Sequence, residues 1–200
     1  MFGRRTAVGN QPMSASQSDS CDDRRLIEHI ADGDLRAFER LYRSYHPRLT
    51  RFLSNFSRRP QLVEEVLNDT LLVVWSRPET YNGSCQPSTW IFAIAYRKAL
   101  KALRRHDEPI DDPKADTRAS LEAGPEQLLG QRQVQERLMR AVQGLSPDHR
   151  AVVDLTYFHG VGYREIAQIM GCPVDTVKSR MFHARRRLKS VLAGQLEDWL

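Results

Sequence analysis

Cysteine is scarce in this chain: Cys21, Cys85 and Cys172 are far apart and odd in number. No disulfide framework can therefore organise the fold. Neither a CxxC pair nor a Cys/His ligand spacing occurs, so no zinc site is expected, and no other metal or cofactor. Long apolar runs are also missing. The longest, Leu71 to Trp75 and Trp90 to Tyr96, are far too short to span a bilayer. Arg4-Arg5 is followed by no apolar segment, which rejects a twin-arginine signal. A cytoplasmic, reducing setting with no direct membrane insertion is the expectation. The six histidines are scattered, with no HExxH, no phosphate loop and no nucleophile motif. That pattern argues against an enzyme. β-branched alternation is sparse, so the expected class is all-α.

Charge is plentiful instead. Charged residues make up 28% of the chain and the formal net charge is +5, a balance that suits a polyanionic partner. The cations are clustered. The stretch STWIFAIAYRKALKALRR has no acidic residue from Ser88 to His106. At helical spacing, Phe92, Ala95, Tyr96, Ala99, Ala102 and Leu103 share one side. Arg97, Lys98, Lys101, Arg104 and Arg105 share the other, with Trp90 and Ile94 at its N-terminal end. Ser88 or Thr89 is the expected cap. Such a stripe can hold a single strand, with phosphates on the cations and bases stacked on a ring. Trp90 serves equally well as a core residue. The uncompensated run of like charge is costly unless an anion visits it.

A second basic stretch is GYREIAQIMGCPVDTVKSRMFHARRRL, Gly162 to Leu188. Counting Tyr163 as first, Ala167 is fifth, Gly171 ninth and Val177 fifteenth. A helix-turn-helix needs a small residue where its helices cross and a residue tolerant of a left-handed turn between them. It also needs an apolar residue to pin the second helix. Pro173 suits the first turn of that helix, and Asp175 complements its dipole. Val177, Met181, Ala184 and Leu188 form an apolar stripe. Ser179, Phe182, His183 and Arg186 lie opposite, flanked by Lys178, Arg180, Arg185 and Arg187. An apolar stripe behind a polar, basic ridge suits a helix that enters the major groove of DNA.

The remaining chain fits two small helical domains joined by a flexible linker. Residues 1–21 are rich in Ser, Gln, Gly and Asn and are expected to be a disordered extension, with Met13 a second candidate start. A first domain spans 22–106. Asp22 or Asp23 caps a helix that ends at Gly33. Leu35 to Phe56 continue at helical spacing, with a kink or a fresh start at Pro47. In QLVEEVLNDTLLVVW, Val63, Val66, Leu67, Thr70, Leu71 and Val74 face one way, and Glu64, Glu65, Asn68 and Asp69 the other. The residues alone favour a solvated face there over a docking surface. From Asp107 to Glu126 acids and prolines dominate, the composition of a flexible acidic linker. The second domain spans 127–200. It holds a helix through Val142, then Ser146 as N-cap with Pro147 at the first helical position.

Two basic modules on either side of an acidic linker resemble a known family. The segment LSPDHRAVVDLTYFHGVGYREIAQIMGCPVDTVKSRMFHARRRLKSVL is similar to region 4 of bacterial RNA polymerase sigma factors of the sigma-70 family. Residues 35 to 106 resemble region 2. A linker in place of the middle domain marks the extracytoplasmic-function group. The resemblance implies a factor that binds core RNA polymerase, through the β′ clamp helices and the β flap, and directs initiation at promoter DNA. It reverses the preference at Glu65, Asn68 and Asp69, which correspond to the surface that docks on the β′ clamp. Asn68 and Asp69 are each one methylene shorter than the family's usual Gln and Glu. The helix carrying Trp90, Arg97, Lys98, Lys101, Arg104 and Arg105 corresponds to the element that recognises and opens the −10 region. Ala93 and Arg97 depart there from the family's common Arg and Asn. Lys178, Ser179, Phe182 and His183 match positions that read the −35 element, with Arg180 and Arg186 on phosphates. An anti-sigma factor is the expected regulator. The competing reading is a LuxR-like helix-turn-helix regulator, which leaves the first basic helix unexplained.

Overall fold

The computed structural model describes residues 15–57, 59–106 and 140–194, with side chains described over 22–57, 59–105 and 140–190. The expectations for residues 1–14, for the acidic linker and for most of the helix before Val142 lie outside the described residues. What is described is helical, without strands: α1 (Ala15–Ala31), α2 (Leu35–Ser54), α3 (Pro60–Ser76), α4 (Pro87–His106), α5 (Pro147–Tyr157), α6 (Tyr163–Met170) and α7 (Val174–Gly194). A short 3-10 turn, Pro78–Thr80, follows α3.

Helices α1 to α4 pack as one bundle whose centre is aromatic and aliphatic. Leu41, Tyr45, Leu49 and Phe52 of α2, Val74 of α3, and Ile91, Phe92 and Ala95 of α4 are fully buried. Phe52 meets Phe92 edge to face at 5.2 Å, a geometry that the ring quadrupoles favour. Three boundaries differ from expectation. Helix α1 begins at Ala15, ahead of the expected caps. Asp22 and Asp23 serve tertiary contacts instead, pairing with Arg40 and accepting from the Tyr45 hydroxyl. Helix α2 runs through Pro47 without a new start. Its cap is Asp34, whose carboxylate accepts from the amides of Arg36 and Ala37. The apolar row on both sides of Pro47, from Tyr45 to Leu49 and Phe52, stays buried and outweighs one lost backbone hydrogen bond. Helix α4 starts at Pro87 rather than after Ser88 or Thr89, with Pro filling the first turn.

Helices α5 to α7 form the second module. Ser146 caps α5, with Pro147 in its first turn, as the sequence indicates. Gly162 opens α6, and its amide donates to the Glu165 side chain at 3.2 Å. Glycine supplies no side-chain oxygen, so only this half of a capping box forms. The turn from α6 into α7 rests on Gly171, whose φ is +63°. Ala167, where the helices cross, is buried, and Val177, Met181 and Ala184 seal the inner side of α7. Among the described residues, no helix is long and apolar enough to cross a membrane.

The two modules touch. Helix α6 lies along α4, and α5 meets α2. The buried residues of both form one continuous cluster.

The Gly171 turn gives a direct test. A Cβ added there meets nothing within 4 Å, so only the left-handed backbone opposes it. Gly171→Ala is expected to lower stability by about 1 kcal/mol in urea unfolding. Gly144→Ala, at a φ outside the left-handed region and with only ordinary contacts, should stay within about 0.5 kcal/mol of the parent.

Candidate nucleic-acid interface

Helix α4 divides into two halves with opposite surroundings. From Trp90 to Tyr96 every residue is buried. Helix α3 covers one side, α6 another, and α1 and α2 close the rest. Arg97, Lys101, Arg104 and Arg105 on the C-terminal half are exposed, and none has an ion-pair partner among the described residues. Lys98 is different: its Nζ lies 2.8 Å from Asp69 Oδ2 on α3. Trp90 packs against Tyr81 with ring centroids 5.4 Å apart and is 9% exposed. Tyr81 is held there because its hydroxyl donates to the Cys85 carbonyl at 2.8 Å. The cationic stripe is therefore open, while the indole is in the core with Ile94 and Ala93. Of the six positions expected to meet the −10 region, four share an unobstructed surface.

Glu64, Glu65, Asn68 and Asp69 project together from α3, all exposed. Leu72, one turn further along the same helix, is 59% exposed, an apolar side chain beside the acidic and amide group. Periodicity alone does not mark Leu72, because it sits inside the run Thr70 to Trp75. The ion pair from Asp69 to Lys98 joins this surface to the basic stripe of α4.

On α7 the reading positions are open. Ser179, His183 and Arg186 are exposed, and Phe182 is 62% exposed with its ring edge to face against His183. Lys178 pairs with Asp175 one turn back at 2.9 Å, both exposed, an interaction too solvated to hold the lysine. Arg180 is the exception. Its guanidinium is half-buried, paired with Asp148 at the start of α5 and close to Cys172 Sγ at 3.6 Å. His149 lies beside His183, with centroids 6.4 Å apart. Burial first, then the neighbouring His183 and Arg180 charges, lowers the His149 pKa below its ordinary value. A neutral ring there spares the reading face a further charge.

Sequence reasoning gave no role to the residues between the modules. Asp148 also accepts from the Tyr96 hydroxyl of α4 at 2.7 Å. Burial, reinforced by that carboxylate, raises the Tyr96 pKa, so the phenol keeps its proton. Asp154 accepts from Asn55 Nδ2 at 2.6 Å, and Arg150 donates to the Asn55 carbonyl at 2.6 Å. His159 sits between Phe52 and Phe92, at 6.2 and 4.8 Å between centroids. Its Nε2 lies 3.1 Å from Asp154 Oδ2, with both side chains almost fully buried. The three hydrogen bonds that cross the seam join residues 52 to 99 apart in sequence. No local pattern could have paired them.

Comparison with known proteins bears on both modules. The family model for sigma-70 region 2 matches residues 41–108, and that for sigma-70 region 4 matches residues 135–188, together more than half of the chain. The chain is 27% identical to the RNA polymerase sigma-H factor of Pseudomonas aeruginosa over 186 residues, covering 88% of this chain and 96% of the relative. It is 28% identical to the ECF RNA polymerase sigma-E factor of Escherichia coli K12 over 181 residues, covering 86% and 94%. Two solved structures share the fold with a TM-score of 0.65. One is CnrH in complex with the cytosolic domain of CnrY, 22% identical over 86% of this chain and 98% of that one. The other is the sigma factor RpoE of Bartonella quintana in complex with the anti-sigma factor NepR, 21% identical over 80% and 98%. With two basic helical modules matched in order to regions 2 and 4, the chain belongs to the sigma-70 family of bacterial RNA polymerase sigma factors, in its extracytoplasmic-function group.

Proposed function

We propose that this chain binds core RNA polymerase and directs it to promoters through two DNA contacts, one per module. The observation that carries the reading is the pair of open cationic helical surfaces on separate modules, α4 from Arg97 to Arg105 and the outer side of α7. Glu65, Asn68 and Asp69 on α3 dock on the β′ clamp helices, with Leu72 adding apolar contact. Arg97, Lys98, Lys101, Arg104 and Arg105 follow the backbone of the −10 region as it opens. Lys98 must first leave Asp69. Trp90 reaches a base only if the Tyr81 packing loosens, so the cations supply the first contact. Lys178, Ser179, Phe182 and His183 read the −35 duplex, and Arg186 and Arg180 take phosphates. Phosphoryl transfer belongs to the polymerase, and this chain performs no chemistry of its own. A cytoplasmic site of action follows from that partnership. The Bartonella relative is solved with an anti-sigma factor. A protein of that class covering α3 and α4 is the proposed control of this chain.

Run-off transcription with purified core polymerase tests the reading. Specific initiation that depends on this chain is the expected result. A chain that binds duplex DNA alone but never retains core polymerase would favour a conventional helix-turn-helix regulator. Asp69→Arg should weaken core binding by about tenfold or more, because it places like charge against a basic surface. Arg186→Ala should weaken binding at every promoter and flatten the salt dependence by about one unit of slope. Ser179→Ala should instead change preference at one −35 position by about 1 kcal/mol or more. Equal losses from both on all sequences would contradict the assignment of faces on α7.

A further inference from the structure

A pair of histidines at the edge of the α7 reading surface carries an inference about the −35 contact. His183 of α7 is exposed, and His149 near the start of α5 is half-buried beside it, with ring centroids 6.4 Å apart. Ser146 Oγ lies 2.7 Å from His149 Nδ1, which orients that ring and leaves its Nε2 with no hydrogen-bond partner among the described residues. The charged groups acting on His149 are His183 and Arg180 of α7 and Asp148 of its own helix. Asp148 and Arg180 pair with each other, and Asp148 also accepts from the Tyr96 hydroxyl of α4. Their charges cancel, so the histidines are the part of this edge whose charge is still adjustable. The major groove is about 12 Å wide, and a helix with its side chains is about 10–12 Å across. A helix seated there fills the groove. A side chain of another element beside its reading ridge then meets the groove wall, which is sugar and phosphate.

We infer that His149 belongs to the −35 surface: with His183 it holds one DNA phosphate, and the pair takes up a proton as that phosphate arrives. The inference rests on the reading of α7 as the −35 helix. In the free chain, burial and then the His183 and Arg180 charges disfavour a proton on His149, against the weaker pull of Asp148. Two charged rings in edge contact beside Arg180 also repel each other, so the second proton is costly while no anion is present. A phosphate reverses the sign of the local field. It favours the charged form of both rings, and each ring then donates a charge-assisted hydrogen bond to it. The direction of the pH dependence follows. A group that holds its proton more tightly in the bound state strengthens binding as pH falls. The gain is complete below the free-chain pKa and is lost as pH rises through the bound-state one. For His149 the free value lies below the ordinary 6.5, so the window runs upward from there to the bound value.

The experiment measures binding of the full chain, with core polymerase, to a duplex carrying the −35 element, as a function of pH and of salt. The parent is compared with His149→Gln, which keeps a polar side chain but takes no proton, and with His149→Lys, which is charged throughout. Thermal unfolding of each variant confirms that it is folded. The affinity of the parent relative to His149→Gln should rise about fivefold from about pH 8 to about pH 6, since a pKa raised by about one unit on binding is worth up to about tenfold. The salt slope of the parent should steepen by about 0.9 over that range, the value for one added phosphate contact, and that of His149→Gln by less. His149→Lys should bind about as tightly at both ends of the range as the parent does at the lower end. A ratio of parent to folded His149→Gln that is the same at every pH would overturn the inference. Equal steepening of the two salt slopes would do so too, as would a His149→Lys chain with the pH profile of the parent. In those cases a −35 sequence preference that Ser179→Ala alters leaves the −35 reading standing. A parent with no such preference at any pH fails that reading, and the inference with it.

Discussion

The packing of α6 and the His159 turn against the N-terminal half of α4 is the contact on which the arrangement depends. Together with α1, α2 and α3 it buries seven consecutive residues of one helix, Trp90 to Tyr96, on every side. A helix covered all round must be apolar all round, and this segment is: Trp, Ile, Phe, Ala, Ile, Ala, Tyr. One turn later the same helix becomes cationic. The change from core to cation at Arg97 sets both where the modules meet and where nucleic acid can reach.

Electrostatics follow from that division. The arginines and lysines at the C-terminal end of α4 repel one another, and among the described residues Lys98 alone is relieved, by Asp69. Both side chains of that pair are partly solvated, so the ion pair is worth little and yields readily to a phosphate or to a docking partner. The seam between modules behaves differently. Asp154 and His159 are nearly fully buried, where a lost partner is expensive. The surface ion pairs are therefore exchangeable, while the buried groups of the seam set how the modules are placed in this structure.

Much of this was legible from sequence, because periodicity reports a helix's inner side directly. The buried rows of α3 and α7 follow from spacing, and so does the turn at Gly171, where only a left-handed backbone links the two helices. Ser146 and Pro147 mark the start of α5 because caps are local. The misses had tertiary causes. Pro47 does not interrupt α2, since buried residues on both sides hold the helix together. Asp22 and Asp23 look like caps but serve Arg40 and Tyr45 on a neighbouring helix. Ile94 faces the basic side by angle yet is buried, and Trp90, for which the residues left the core open as a reading, is in the core against Tyr81. Asn55, Asp148, Asp154 and His159 have no motif at all, since their partners are far away in sequence.

Distance between the modules is the quantity most directly at stake. Dyes placed on cysteines introduced at Ser44 of α2 and Ser190 of α7, both exposed, report it by resonance energy transfer. The account predicts one short distance in the free chain. With core polymerase on promoter DNA it predicts a lengthening on the order of several tens of ångströms, as separated elements require. The same short distance in the transcribing complex as in the free chain would contradict it.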